Sequence, residues 1–461
     1  MAVTAQLRPV VRLMSSREPL LVLSLVNLAA GATLNFGNLS APALALVVAA
    51  LVTMCMATRA PHDYEVGALG WLFGALAVAS VSLVYVNHTG APIEAALTGL
   101  LIACVAVAMT ARSSRPARIG IALCGVTLLL MTAVVWRWGW LNIDVFDSLQ
   151  RASGALLAGH NPYGTTFSTP NVVAPSQVVY TTIHFQYLPG AALLAAPGRF
   201  FGDVRVMSIV AIAVLFFAVI RLARQAGDDQ HVNRIAGMSV ALPATVAMAH
   251  YAWVDVYSVA ALACWIAFRR DHVRWAAVAL AASLTVKPTI LIALVPFLLW
   301  SRRARREIWI AATLALLVIV PFAVMTGVTQ FYQDVIGVQA SLGFRYDGLT
   351  LSAGWFAITG ATLPTWFGPA AGLMLAAFVL RHAPRDLADF LLAGAILSTW
   401  AFLLAKWAFL NYYFIPIWLL ALALASRSEP LAASTDDVAL PWPWRVRFPR
   451  MLTRRTAHAA S

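Results

Sequence analysis

The chain has 461 residues, of which 61% are hydrophobic and only 11% are charged. Many of its apolar runs are about 17 to 25 residues long, which is the length of helix that crosses about 30 Å of hydrocarbon. This composition excludes an ordinary soluble protein and predicts a polytopic, all-α membrane protein. The net charge of +13 does not indicate nucleic-acid binding, because the basic residues cluster in short loops between apolar runs, as the positive-inside bias predicts.

The apolar runs predict about 14 membrane helices, with both termini in the cytoplasm. The arginine-rich loops then all lie on the cytoplasmic side. This topology requires the segment 184–200, with its Pro189-Gly190 start, to form a re-entrant or interfacial helix rather than a full crossing. The helices are expected near residues 18–36, 41–58, 65–87, 92–111, 118–139, 205–223, 234–250, 253–269, 274–286, 288–301, 306–326, 366–381, 386–405 and 408–426.

The longest polar interruption of the chain is a predicted outer loop from Trp140 to about Thr182. It starts with two carboxylates, Asp144 and Asp147, just beyond the end of a hydrophobic helix. An ionised side chain at this position can be hydrated and still lie close to lipid. The loop is therefore the expected place for chemistry on a lipid-linked substrate.

The two lysines of the chain, Lys287 and Lys406, are exceptions to the distribution of positive charge, because they occur at the outward ends of helices. The apolar stretch 274–301 has arginines at both ends, which favours a helical hairpin that turns at Lys287-Pro288. Each arm would be about 20 Å long at 1.5 Å per residue, too short to cross the membrane. We therefore expect Lys287 in a cavity below the outer surface.

Several motifs, taken in their order along the chain, resemble a family of membrane enzymes. They are Asp144, Leu156-Leu-Ala-Gly159-His-Asn-Pro162-Tyr163, His184-Phe-Gln-Tyr187-Leu-Pro189, Leu284-Thr-Val-Lys287-Pro288 and Phe344-Arg345-Tyr-Asp347-Gly. The set resembles the polyprenyl-phosphate-sugar-dependent glycosyltransferases of the GT-C superfamily, and most closely the bacterial mannosyltransferases that build mycobacterial-type lipid glycans. In this family an aspartate in the first large outer loop is the catalytic base, and basic residues bind the donor phosphate.

The resemblance implies a GT-C-like membrane domain over residues 118–426, with a large outer loop that carries an interfacial helix. Asp144 would be the base, and Lys287 and Arg345 would bind the donor phosphate. Residues 1–117 would be extra N-terminal transmembrane helices, because the family places its aspartate after the first helix and four extra predicted spans precede Asp144 here. Residues 427–461 would form a basic cytoplasmic tail.

The chemistry of such a transfer agrees with this small set of residues. A base must take the proton of the acceptor hydroxyl, and a cation must hold the departing phosphate. A phosphate leaving group needs no general acid, unlike the leaving groups of hydrolytic glycosidases, which need a carboxylate pair. The expected partners are a polyprenyl-phosphate-linked sugar donor, a lipid or glycan acceptor and membrane lipids, with no cofactor and no metal. The protein would be multi-pass in the cell (inner) membrane, with its active site facing the periplasm or exterior.

Further residues are candidates for the substrate cavity, and each candidate also has a purely structural interpretation. Carboxylates such as those at the start of the outer loop favour helix starts, as caps or through the helix dipole. A lysine near a helix end can extend its ammonium group to the interface, and Arg345 can form a solvated ion pair with Asp347. The further cavity candidates are Tyr163, His184, Tyr187, Asp255 and Lys406, and Asp147 is the second candidate base.

Two other classes of function remain open from the sequence. A transporter or flippase of a lipid-linked sugar would also place basic residues in the membrane, and it would be favoured by inverted repeats and paired broken helices. No internal repeat is found, and the long outer loop with its carboxylates favours an enzyme. The other class is a catalytically silent polyprenyl-binding scaffold.

Overall fold

A computed structural model describes residues 16–61, 74, 126, 143–174, 177–227, 229–364, 366–382 and 384–426. This part of the chain is predominantly helical, which confirms the predicted helical fold class at that level. Three of its helices are long and apolar enough to cross a membrane: Arg205–Ala226, Arg302–Thr326 and Leu387–Leu404. Apart from Gly74 and Val126, the helices predicted near 65–87, 92–111 and 118–139, and the tail 427–461, lie outside the described residues.

The described helices follow the predicted apolar runs closely. The first elements are α1 (Arg17–Thr33), α2 (Ala41–Ala57), α3 (Asp144–Leu157), β1 (Thr166–Ala174), β2 (Gln177–His184), α4 (Pro189–Phe200), α5 (Arg205–Ala226), α6 (Asp229–Ala241), α7 (Pro243–His250) and α8 (Asp255–Phe268). They are followed by α9 (Val273–Leu284), α10 (Ile290–Trp300), α11 (Arg302–Thr326), α12 (Val328–Tyr332), α13 (Val338–Ser341), α14 (Leu351–Thr359), α15 (Phe367–Arg381), α16 (Leu387–Leu404) and α17 (Leu410–Ser426). A turn of π-helix, Gln333–Gly337, joins α12 to α13.

The outer loop is more ordered than the sequence indicated, because it contains the antiparallel hairpin of β1 and β2. Side chains alternate along the hairpin: Phe167, Thr169 and Ile183 are buried, whereas Ser168 and Thr182 are exposed. This is the period-two pattern of a sheet with one covered face. A two-stranded hairpin is marginally stable alone, and here β1 packs against α3. The expectation of an all-α chain is corrected on this point.

Two prolines determine where helices begin in the middle of the chain. The single helix predicted over 234–250 is wrong, since it breaks at Leu242 and restarts as α7 at Pro243. Proline fits the first turn of a helix but not its interior. Helix α4 likewise starts at Pro189 and has 12 residues. At 1.5 Å per residue it is about 18 Å long, too short for a full crossing.

Helix α17 lies at the centre of the packed helices. Its residues from Tyr413 to Ser426 are all buried, as expected for a helix that is apolar on every side. It packs against α1, α5, α8 and α16. Because α1 contacts α17 and α2 contacts α16, the described N-terminal helices belong to the same packed body as the rest.

Helix α11 contrasts with α17, because few of its side chains are buried although its sequence is strongly apolar. An exposed apolar helix face of this length is suited to contact with lipid chains. Its exposed apolar residues include Trp309, Ile310, Leu316, Leu317, Val320, Val324 and Met325.

Candidate active site

A cavity of about 310 Å³ lies where several helix ends and loops meet. Its walls come from the start of α3, the β1 strand, the residues before α4, the turn between α9 and α10, the segment after α13 and the loop between α16 and α17. Four residues proposed from the sequence line it: Asp144, Tyr187, Lys287 and Arg345. These residues are up to about 200 positions apart in the chain, so the fold brings together four of the nine predicted site residues, among them Asp144 and both predicted phosphate ligands.

Asp144 is the first residue of α3, and both of its carboxylate oxygens accept hydrogen bonds. The Thr169 hydroxyl donates to Oδ2 over 2.8 Å, and the backbone N–H of Val145 donates to Oδ1 over 2.8 Å. The amino end of a helix also favours a negative charge. Asp144 is half-buried and borders the cavity, so its carboxylate is held by protein and still accessible from the cavity.

Lys287 lies in the turn between α9 and α10, so the apolar stretch 274–301 is broken at the predicted place. Its Nζ donates to Oδ1 and Oδ2 of Asp255 over 3.0 and 3.2 Å, and the pair is buried. Asn411 donates to the same carboxylate over 3.2 Å. The ammonium group also lies 4.0 Å from the centre of the Tyr412 ring, a cation–π contact. Asp255 therefore acts on the cavity through Lys287.

Arg345 is the second basic residue of the cavity wall. Its Nε and Nη2 donate to the two oxygens of Asp347 over 3.0 and 2.6 Å, and its guanidinium lies 4.6 Å from the centre of the Phe409 ring. The loop between α1 and α2 reaches this place, because Leu39 N–H donates to the Asp347 carbonyl over 2.8 Å. Asn38, beside it, lines the cavity.

Tyr187 is buried in the wall, next to Asp144. Burial raises the pKa of Tyr187 well above its usual value, and the nearby carboxylate of Asp144 raises it further. The phenol is therefore neutral at physiological pH and keeps its proton for hydrogen bonding. Its backbone carbonyl accepts a bond from the Tyr163 hydroxyl over 2.8 Å, which fixes this part of the wall.

Aromatic and amide side chains complete the lining, and the sequence did not identify most of them as site residues. The amides of Gln186 and Gln339 contact each other over 3.3 Å across the cavity wall. Most of these residues lie in breaks between the apolar helices, and Asn411 and Tyr412 lie in the first turn of α17; a position at a helix end is the signal that could have found them. Aromatic rings that alternate with a few polar groups are typical of pockets for small molecules. The aromatic members are Trp253, Trp407, Phe409 and Tyr412, and the amide members are Asn38, Gln186, Gln339 and Asn411.

The other predicted site residues lie behind or beside the cavity. Tyr163 is buried against the rings of Phe185 and Phe331, and its carbonyl contacts Nδ1 of His184 over 3.1 Å. Lys406 donates to the carbonyl of Leu342, a lining residue, over 2.6 Å.

Asp147, the alternative base, pairs with Arg151 one turn further along α3 over 2.7 Å, on the more exposed side of the helix. It does not line the cavity. Of the two carboxylates at the start of the outer loop, the geometry brings only Asp144 to the cavity.

The chain was compared with protein-family models, with curated proteins and with solved structures, and none of the three comparisons finds a significant match. Within the described ranges, no group of three or more His, Cys, Asp or Glu side chains is arranged to hold a metal ion.

Proposed function

We propose that the chain is an integral membrane glycosyltransferase. It takes a sugar, mannose or a similar hexose or pentose, from a polyprenyl monophosphate donor and transfers it to a lipid or glycan acceptor. The reaction takes place at the outer face of the cell membrane. The observation that carries the proposal is the meeting of Asp144, Lys287 and Arg345 at one cavity with aromatic and amide walls.

Asp144 is the base in this proposal. As the acceptor oxygen bonds to the anomeric carbon, its proton passes to the Asp144 carboxylate. The bond from the anomeric carbon to the phosphate oxygen breaks on the opposite side, and its electron pair leaves with the phosphate. A single displacement of this kind inverts the anomeric centre. The departing phosphate is stable with the negative charge that it gains, so it needs no general acid. One carboxylate, acting as the base, is therefore sufficient.

Lys287 and Arg345 would bind the donor phosphate. Each is already paired with an aspartate, so the charge of each cation is balanced within the wall. The Lys287 ammonium group has three protons, more than the two Asp255 oxygens use, and a guanidinium has five donors, of which the Asp347 contacts use two. Both groups can thus add charge-assisted hydrogen bonds to a phosphate without losing their partners.

The walls of the cavity suit a sugar. Aromatic rings offer flat apolar surfaces to the C–H faces of a sugar ring, and neutral amides can donate to and accept from its hydroxyl groups. The Gln186–Gln339 contact and the Asn411–Asp255 contact hold three of these amides in place. The exposed apolar face of α11 gives a lipid-linked substrate a membrane environment beside this end of the molecule.

The test compares Asp144→Asn with Asp147→Asn in the purified protein. Transfer of radiolabelled mannose from polyprenyl monophosphate mannose to a membrane lipid extract is measured beside donor binding and thermal unfolding. Asp144→Asn keeps the size of the side chain but cannot act as a base, so transfer is expected to fall by about 10² to 10⁴ with donor binding retained. Asp147→Asn is expected to remain active, because its partner is the exposed Arg151.

Two outcomes would change the assignment. Loss of transfer in Asp147→Asn with near-normal transfer in Asp144→Asn would move the base to Asp147. Normal behaviour of both variants would remove this carboxylate pair from the chemistry and favour the transporter, which movement of a labelled polyprenyl-linked sugar across vesicles would reveal. Polyprenyl-linked sugars and envelope glycans of cells lacking the chain would identify the sugar and the acceptor.

A further inference from the structure

We infer that Thr169, on the first strand of the β-hairpin, is a positioning residue for the Asp144 carboxylate; the inference rests on the proposed function. Its hydroxyl lies 2.8 Å from Oδ2 of Asp144, and the two residues are 25 positions apart in the chain. Both line the cavity. This gives the β-hairpin, which the sequence did not predict, a role in the proposed reaction.

The direction of this hydrogen bond follows from the groups involved. An ionised carboxylate only accepts, so the Thr169 hydroxyl must donate. The second oxygen, Oδ1, is occupied by the backbone N–H of Val145. With both oxygens restrained, the carboxylate has one orientation toward the cavity. A base is effective only when it lies within hydrogen-bond reach of the proton that it takes.

The contrast with Asp147 supports a specific role for the Thr169 hydroxyl. Asp147 is on the same helix, and its partner Arg151 is only one turn away. The arginine side chain is largely exposed. Asp144 is instead restrained by a buried hydroxyl on another element. Two carboxylates that are close in sequence thus have different restraints, and the rigid one faces the cavity.

The hairpin itself does not depend on this hydroxyl. Thr169 shares its face of the hairpin with Phe167 and Ile183, which are buried, and its backbone is paired with that of Thr181. Valine has the same branched shape as threonine and the same preference for strands. Thr169→Val therefore removes the donor and leaves the strand, so it can separate positioning from folding.

The matched control is Thr182→Val. It makes the same chemical change in the same hairpin, but Thr182 is exposed on the opposite face. Thr169→Ser keeps a hydroxyl and serves as the rescue. Thr169→Ala is a second variant without a donor, in case valine perturbs the fold.

The experiment measures transfer of mannose from polyprenyl monophosphate mannose to a membrane lipid extract, with kcat and donor KM determined separately. Thr169→Val and Thr169→Ala are expected to lower kcat by about tenfold to a hundredfold, the effect of losing one charge-assisted hydrogen bond. Donor KM should change by less than about twofold, since the donor site is elsewhere in the cavity. Thr169→Ser should recover most of kcat, and Thr182→Val should match the unmodified protein.

The failures of the two proposals are distinguishable. Normal kcat in both Thr169→Val and Thr169→Ala, in a protein whose transfer is lost in Asp144→Asn, would overturn the positioning role and leave the glycosyltransferase proposal standing. Equal loss in Thr169→Ser and Thr169→Val, or an equal loss in Thr182→Val, would show that the hairpin acts through its fold and would also overturn it. Absence of sugar transfer by the unmodified protein would overturn both.

Discussion

Lys287 and Asp255 form a buried ion pair, and either charge without its partner would destabilise the folded protein. The exposed fractions of the two side chains are 11% and 1%. Removing one partner of a buried pair leaves an uncompensated charge, which typically costs about 3 to 5 kcal/mol, whereas replacing both by apolar residues is often close to neutral. The pair therefore allows the structural role of Lys287 to be separated from phosphate binding.

Lys287→Ala is expected to reduce both stability and donor use. Donor use should fall more than tenfold, because one charge-assisted contact of about 1.5 to 3 kcal/mol with the phosphate is lost. The double variant Lys287→Met with Asp255→Leu is expected to recover most of the stability but not the donor use. Thermal unfolding and donor titration measure the two properties. If the double variant uses the donor normally, Lys287 has only a structural role.

The elements of the chain differ in how far the sequence could predict them. The break between α9 and α10 was predicted because arginines at both ends of the stretch and a proline in its middle constrain it strongly. The β-hairpin was not, because β1 contains Pro170 and Asn171, which are unfavourable in most strands. Proline is tolerated there because a two-stranded sheet has only edge strands.

The cavity lining shows a similar division. Asp144, Lys287 and Arg345 are charges in an apolar chain, so each is conspicuous in the sequence. Gln186 and Gln339 are not, since neutral amides occur in any polar loop. Their contact depends on how the loop before α4 and the short helix α13, which carry residues 153 positions apart, are placed by the packing of the helices between them.

The start of α4 and the turn before Lys287 are joined by a close backbone contact. Gly190 N–H donates to the Thr285 carbonyl over 2.9 Å, and Leu188 N–H donates to the Val286 carbonyl over 3.2 Å. A Cβ at Gly190 would lie 2.7 Å from the Thr285 carbonyl oxygen and closer still to its side chain. No side chain fits there unless the two elements move apart.

Gly190→Ala is therefore expected to destabilise the protein by about 1 to 3 kcal/mol, the usual cost of overpacking, and to displace the turn that carries Lys287. Gly164→Ala is the matched control, because a Cβ there meets nothing within 4 Å. Thermal unfolding and sugar transfer are measured for both variants. Unchanged unfolding and transfer in Gly190→Ala would show that this contact does not position the turn.

The whole molecule has two chemically different ends, and α11 connects them. At its first turns, Arg303 and Arg269 surround Glu307. At its last residue, Thr326 accepts a hydrogen bond from Asn161 of the outer loop over 2.9 Å. The helix has 25 residues and is about 37 Å long, enough to cross the hydrocarbon core. The loop that carries Asn161 and the arginines around Glu307 are thus on opposite sides of any membrane that α11 spans.

The positive-inside bias then predicts the orientation of these two ends: the arginine loops are cytoplasmic, and the cavity faces outward. Single cysteines at two exposed positions test it in a chain whose own cysteines are replaced by alanine; these are Cys55, Cys104, Cys124 and Cys264. In intact cells an impermeant thiol reagent is expected to label Gly164→Cys, whereas Arg302→Cys should be labelled only after permeabilisation. Labelling of Arg302→Cys from outside, with Gly164→Cys protected, would reverse the orientation. The cavity would then open to the cytoplasm, and the proposed transfer at the outer face would have to be abandoned.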